Sequence, residues 1–79
     1  YVPLPQKKRD VPSAGGEVVL ARESVRAAIA QAEQWGVRMV VRPSGTEPLV
    51  RILAEGDEDA AERAVRLVER AVRASAEAL

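Results

Sequence analysis

A chain of 79 residues, 47% of them apolar, has material for one small domain and not for two. Twelve basic residues balance twelve acidic ones, which argues against a dedicated nucleic-acid surface. Cys and His are both absent, so a disulfide framework, a thiolate nucleophile, the commonest general base and the commonest metal ligand are excluded.

No run approaches the roughly 18 apolar residues of a membrane-spanning helix, and no signal-peptide pattern is visible. A soluble, cytoplasmic domain with neither membrane nor nucleic-acid partner is the expectation. Phe is absent, and Trp35 and Tyr1 are the only aromatics, so Val, Leu, Ile and Ala must build the core. The first residue is Tyr1 and not Met, which reads as a fragment or a processed piece.

Taken in order, Pro3 and Pro5 exclude a helix at the start and leave room for a short edge strand around Leu4–Arg9. Lys7-Lys8-Arg9 reads first as a solvated or edge-protecting charge run, and second as a phosphate-attracting patch. Val11–Gly16 is a loop by composition, and Glu17–Leu20 is either a brief strand or the approach to a helix. Glu23–Gln34 is the first helix, with Val25, Ala28, Ile29 and Ala32 on one stripe. Ser24 is its candidate cap and Gly36 its stop, with Trp35 covering the end of the core.

Val37–Arg42 and Leu49–Glu55 alternate as strands. A hairpin with Arg42 opposite Leu49, and Arg51 opposite Val40, puts Val37, Met39, Val41, Val50, Ile52 and Ala54 on one apolar face. Arg42 and Arg51 then share the other face, and a slip of one residue would mix the two. Asp57 is a good N-cap for a second helix whose buried stripe is Ala61, Ala64, Val65, Val68, Ala71 and Val72. Asp59–Arg63, Glu62–Arg66 and Glu69–Arg73 are acid-before-base pairs on its solvated side, and Ala74–Leu79 is expected to fray. The sum is an α+β fold: a small antiparallel sheet of three to four strands with two helices packed on one face.

The stretch between the two strands, Arg42-Pro43-Ser44-Gly45-Thr46-Glu47-Pro48, is the richest in chemistry. Arginine offers a planar fork that binds two phosphate oxygens. Ser44 and Thr46 add hydroxyl donors, Gly45 admits backbone N–H groups to an anion, and Pro43 and Pro48 narrow the unbound ensemble. The spacing is not that of a nucleotide P-loop. Pro-Ser-Gly between strands is also ordinary turn chemistry, so a tight hairpin in a ligand-free interaction module remains the rival reading.

This run, with the Leu49-Val50-Arg51 that follows it, resembles the phosphate-binding loop of the α-D-phosphohexomutases. The Leu4-Pro5-Gln6 opening, the Glu23-Ser24-Val25 helix start and the Ala54-Glu55-Gly56 strand exit also resemble that family's C-terminal domain. Bacterial members acting on glucosamine phosphates are the most similar, with those acting on mannose or glucose phosphates as the alternative. The resemblance implies a four-domain enzyme. A phosphoserine in the first domain donates phosphate, the second binds Mg²⁺, the third recognises the sugar, and the fourth grips the phosphate already on the substrate. It assigns phosphate contacts to Arg42, Ser44, Gly45 and Thr46, and places Arg51 near the phosphate.

Several family features are missing from this chain: the Ser-His-Asn phosphoserine motif, the Asp-rich metal loop and the third-domain sugar loop. Lys7-Lys8-Arg9 also stands where the family's first strand is more apolar. The chain is therefore expected to be one phosphate-binding domain over residues 1–79, inactive alone, with no cofactor of its own. Its implied partners are a phosphosugar and three other domains, with Mg²⁺ required by the full-length enzyme.

Overall fold

Three strands and three helices make two layers in the computed structural model, which describes residues 6–13 and 16–77. In chain order they are β1 (Gln6–Pro12), α1 (Gly16–Leu20), α2 (Glu23–Glu33), β2 (Arg38–Pro43), β3 (Leu49–Glu55) and α3 (Glu58–Glu77). The sheet order is β1-β3-β2, and both pairings are antiparallel. The helices cover one face of this sheet; the other carries no helix among the described residues.

The fully buried core is aliphatic, with Trp35 and Met39 packed partly buried against it. Ile52 and Val50 of β3 are fully buried, with Val11, Val19, Val25, Val65, Val68 and Val72 packed around them from the other elements. Both strands of the hairpin alternate as expected: Val37, Val50, Ile52 and Ala54 are buried, and Met39 and Val41 pack partly buried against them. The register differs from the expected one by two residues. Arg42 lies opposite Arg51, and Val40 opposite Leu53. A slide of two preserves which face each side chain takes, so the hydrophobic pattern alone could not separate the two registers. What separates them is the loop. Pro43 still pairs with Val50, and the Ser44 N–H donates to the Leu49 carbonyl at 2.9 Å, so the ladder closes further out than a six-residue loop allows.

β1 also runs further than composition indicated. Its expected start before Gln6 lies outside the described residues, but Val11 and Pro12 belong to the strand and not to a loop. Partners on β3 remain available as far as Leu49, and a proline that cannot donate is tolerated on an edge strand. Alternation then divides the basic run. Lys7 and Arg9 fall on the helix side with Val11, and reach Glu58 (3.5 Å) and Glu69 (3.7 Å) of α3. Lys8 and Asp10 fall on the open face.

Residues 17–20, left undecided by sequence, lie in the single turn of α1, which drives Val19 into the core and leaves Val18 exposed. At α2, Ser24 does not cap. Arg22 takes the cap position without a side-chain bond, and the Ser24 hydroxyl instead lies 3.2 Å from that of Ser75. That contact, with Ser75 buried, keeps α3 helical through Glu77 where fraying was expected from Ala74; the last two residues lie outside the described ones. Gly36 stops α2 at φ +79°, a conformation costly for any residue with a Cβ. Asp57 caps α3, its carboxylate accepting the Ala60 N–H at 3.2 Å. Glu62–Arg66 and Glu69–Arg73 form as expected. The Asp59–Arg63 pair does not: the Arg63 guanidinium lies 5.0 Å from the centroid of the Trp35 ring, a cation–π contact that also shields the partly buried indole.

Candidate functional site

The open face of the sheet is ruled by cross-strand rows. One row reads Asp10, Arg51, Arg42 across β1, β3 and β2. Directly opposed residues on antiparallel strands have Cβ atoms roughly 4.5–5.5 Å apart, and like charges so placed repel. The sheet therefore sets two arginines directly opposite one another at the end of the β2–β3 hairpin.

Among the described residues, only one of them has a counter-charge. Arg51 Nε donates to Asp10 Oδ1 at 3.1 Å, with both side chains about half exposed. Arg42 is exposed and has no ion-pair partner among the described residues. Asp10 was missed by the sequence reading because the expected strand stopped at Arg9. Extending the alternation by one residue, with Val11 as a buried anchor, would have placed it beside Arg51.

The loop closes over the same end. Arg42, Pro43, Ser44, Gly45 and Arg51 line one depression of about 250 Å³. Four of the five expected site residues, Arg42, Ser44, Gly45 and Arg51, are thus brought together. Thr46, the fifth, is exposed on the loop and does not line the depression. The loop's backbone is only partly used by the protein. Ser44 N–H is spent on the Leu49 carbonyl, and Leu49 N–H on that of Glu47 (2.8 Å). Among the described residues, the N–H groups of Gly45, Thr46 and Glu47 meet no protein acceptor.

Gly45 itself is not demanded by the fold. Its φ is not positive, and a Cβ built there would meet no protein atom within 4 Å. The glycine therefore leaves open space beside the free amides. A second, larger concavity continues along the same face over Lys8, Asp10, Val40 and Leu53, and shares Arg42 and Arg51 with the first.

The chemistry of this donor set is one-sided. Residues bearing guanidinium, hydroxyl and N–H donors line one depression, and such donors suit an anion with several acceptor oxygens. They do not suit a divalent cation. The nearby carboxylate, Asp10, is engaged by Arg51, and no group of three acidic side chains able to hold a metal occurs among the described residues. No helix among the described residues is long and apolar enough to cross a membrane.

Residues 1–72 match the family described as phosphoglucomutase/phosphomannomutase, C-terminal domain. The chain belongs to this family. Among curated proteins, it is 47% identical over 79 residues to a phosphoglucosamine mutase of Sphingopyxis alaskensis, covering 95% of this chain and 18% of that protein. It is 51% identical over 61 residues to a phosphoglucosamine mutase of Chelativorans sp., covering 73% of this chain and 13% of that protein. Among solved structures, it is similar to the Aspergillus fumigatus N-acetylphosphoglucosamine mutase in complex with GlcNAc-6P and magnesium. That likeness has a TM-score of 0.81 at 26% identity, over 96% of this chain and 16% of the other. The chain thus spans less than a fifth of these relatives' length, and the α+β sheet with helices on one face is the architecture of a phosphohexomutase C-terminal domain.

Proposed function

We propose that this phosphohexomutase domain grips the distal phosphate of glucosamine 6-phosphate or 1-phosphate while another part of the full-length enzyme moves the second phosphate. The observation that carries the reading is the Arg42–Arg51 cross-strand pair, one guanidinium tethered to Asp10 and the other, like the loop amides beside it, without a partner among the described residues. A sheet gains nothing in stability from opposing two arginines. A phosphate dianion would turn that repulsion into two charge-assisted contacts, with Ser44 and the Gly45 amide as further donors and Thr46 reaching in from the exposed part of the loop.

The role is positional. Among the described residues no group of acidic side chains able to hold a metal accompanies these donors, and the bond-breaking groups that the family implies would lie in the other domains. Holding the non-reacting phosphate converts diffusion of the sugar into reorientation within one cleft, and sets the reacting oxygen against its donor. The amino-sugar assignment is supported by the phosphoglucosamine mutase relatives, since the depression's donors address phosphate and not the substituent at C2. In this setting the domain works in the cytoplasm against three partner domains.

Gly45 supplies a clean test. In the full-length enzyme, Gly45→Ala is expected to leave the melting temperature unchanged, because the Cβ has room and φ is not positive. The same methyl would stand where the anion must approach the amides, raising the KM for glucosamine phosphate roughly tenfold. An unchanged KM would remove the loop from substrate binding.

A further inference from the structure

We propose that Gly16, the first residue of α1, is a positioning residue for the anion-binding loop, fixing Pro43 and through it the Arg42 and Ser44 donors. The inference rests on the phosphate reading of the loop and adds a residue outside it.

Gly16 lies against the base of the loop. A Cβ built on it would stand 3.0 Å from Pro43 Cβ, 3.3 Å from Val50 Cγ2 and 3.7 Å from Pro43 Cα. The backbone does not ask for glycine there, since φ at Gly16 is not positive. The packing does. Pro43 Cβ belongs to a ring fused to the main chain, so it yields only if the backbone moves. Val50 is fully buried in the central strand and pairs with both Val11 and Pro43, so it cannot give way either.

Pro43 is the last residue of β2 and is bonded directly to Arg42 and Ser44. A shift of a few tenths of an ångström at Pro43 is therefore delivered to both donors. The far end of the loop is held in a second, independent way: Ser13 N–H donates to the Pro48 carbonyl at 2.8 Å. The loop is thus gripped at both ends by residues that flank the β1–α1 connection, with Gly16 against Pro43 and Ser13 on Pro48. Its middle, carrying the free amides, has only the Ser44–Leu49 and Glu47–Leu49 bonds to hold its shape.

The test uses the full-length enzyme turning over glucosamine phosphate, with kcat, KM and melting temperature measured for Gly16→Ala, Pro43→Gly, their combination, and Arg42→Ala. Gly16→Ala is expected to raise KM roughly fivefold with kcat within about twofold, because small misplacements of binding groups cost affinity steeply. In the Pro43→Gly background the tightest contact is gone and only that to Val50 Cγ2 at 3.3 Å remains, so adding Gly16→Ala should raise KM by a smaller factor than it does with Pro43 present. This coupling is one that general destabilisation would not produce. Should Gly16→Ala not fold, the test passes to Ser13→Pro, which deletes the N–H given to Pro48 and is expected to raise KM in its place.

The inference is overturned if Gly16→Ala leaves KM unchanged while Arg42→Ala raises it, or if its effect is equal in both backgrounds. It is also overturned if Ser13→Pro, used as substitute, leaves KM unchanged. If Arg42→Ala also leaves KM unchanged, the phosphate reading itself has failed.

Discussion

Arg42→Ala in the full-length enzyme is expected to raise the KM for glucosamine phosphate roughly 10- to 100-fold while leaving the domain folded. The binding side follows from the charge-assisted contacts an unpaired guanidinium can make, each typically worth about 1.5–3 kcal/mol. The folding side follows from its place. Arg42 stands exposed on the open face, opposite Arg51 and without an ion-pair partner among the described residues. Removing it costs no buried contact and relieves a like-charge opposition. Loss of uniform binding raises KM with kcat little changed, whereas loss of folding lowers the active fraction and leaves KM alone. Steady-state kinetics with a thermal melt therefore separate the two outcomes.

The opposite expectation holds for Ile52→Ala, one row along the same strand pairing but on the other face. Ile52 is the largest fully buried side chain, in the central strand, with β1 on one side and β2 on the other. Truncating a buried isoleucine costs about 2–5 kcal/mol through lost transfer and an unfilled cavity. A domain of this length has roughly 4–12 kcal/mol to lose. At about 4–8 °C per kcal/mol, the 79-residue chain should melt about 8–40 °C lower. A drop of only a few degrees would mean that the helices do not close over β3 as described.

These two residues also show what the sequence made legible. The strands and the face each side chain takes were readable, because Val50, Ile52 and Ala54 alternate with Arg51 and Leu53 at a period that only a half-buried strand explains. The exact pairing of the arginines was not. Registers two residues apart bury the same side chains, and the choice between them is made by the Ser44–Leu49 bond that tightens the loop. Asp10 was hidden for a different reason: β1 is an edge strand with charge on both faces, so its basic run carries little of the hydrophobic pattern by which a strand is recognised. Ser24 and Arg63 satisfied local rules for a cap and an ion pair. Tertiary neighbours, Ser75 and Trp35, took them instead. The loop's chemistry was legible from residue types, but its bracing by Gly16 and Ser13 was not, since both come from the far side of the chain.

Phosphate binding at the end of the β2–β3 hairpin is open to direct observation. Titrating the isotope-labelled chain with inorganic phosphate, and following backbone amide shifts, tests it most directly. Saturable shifts concentrated at Arg42, Ser44, Gly45, Thr46 and Arg51, and lost in Arg42→Ala, are the predicted result. No shifts at millimolar phosphate, or the same shifts in the variant, would contradict it.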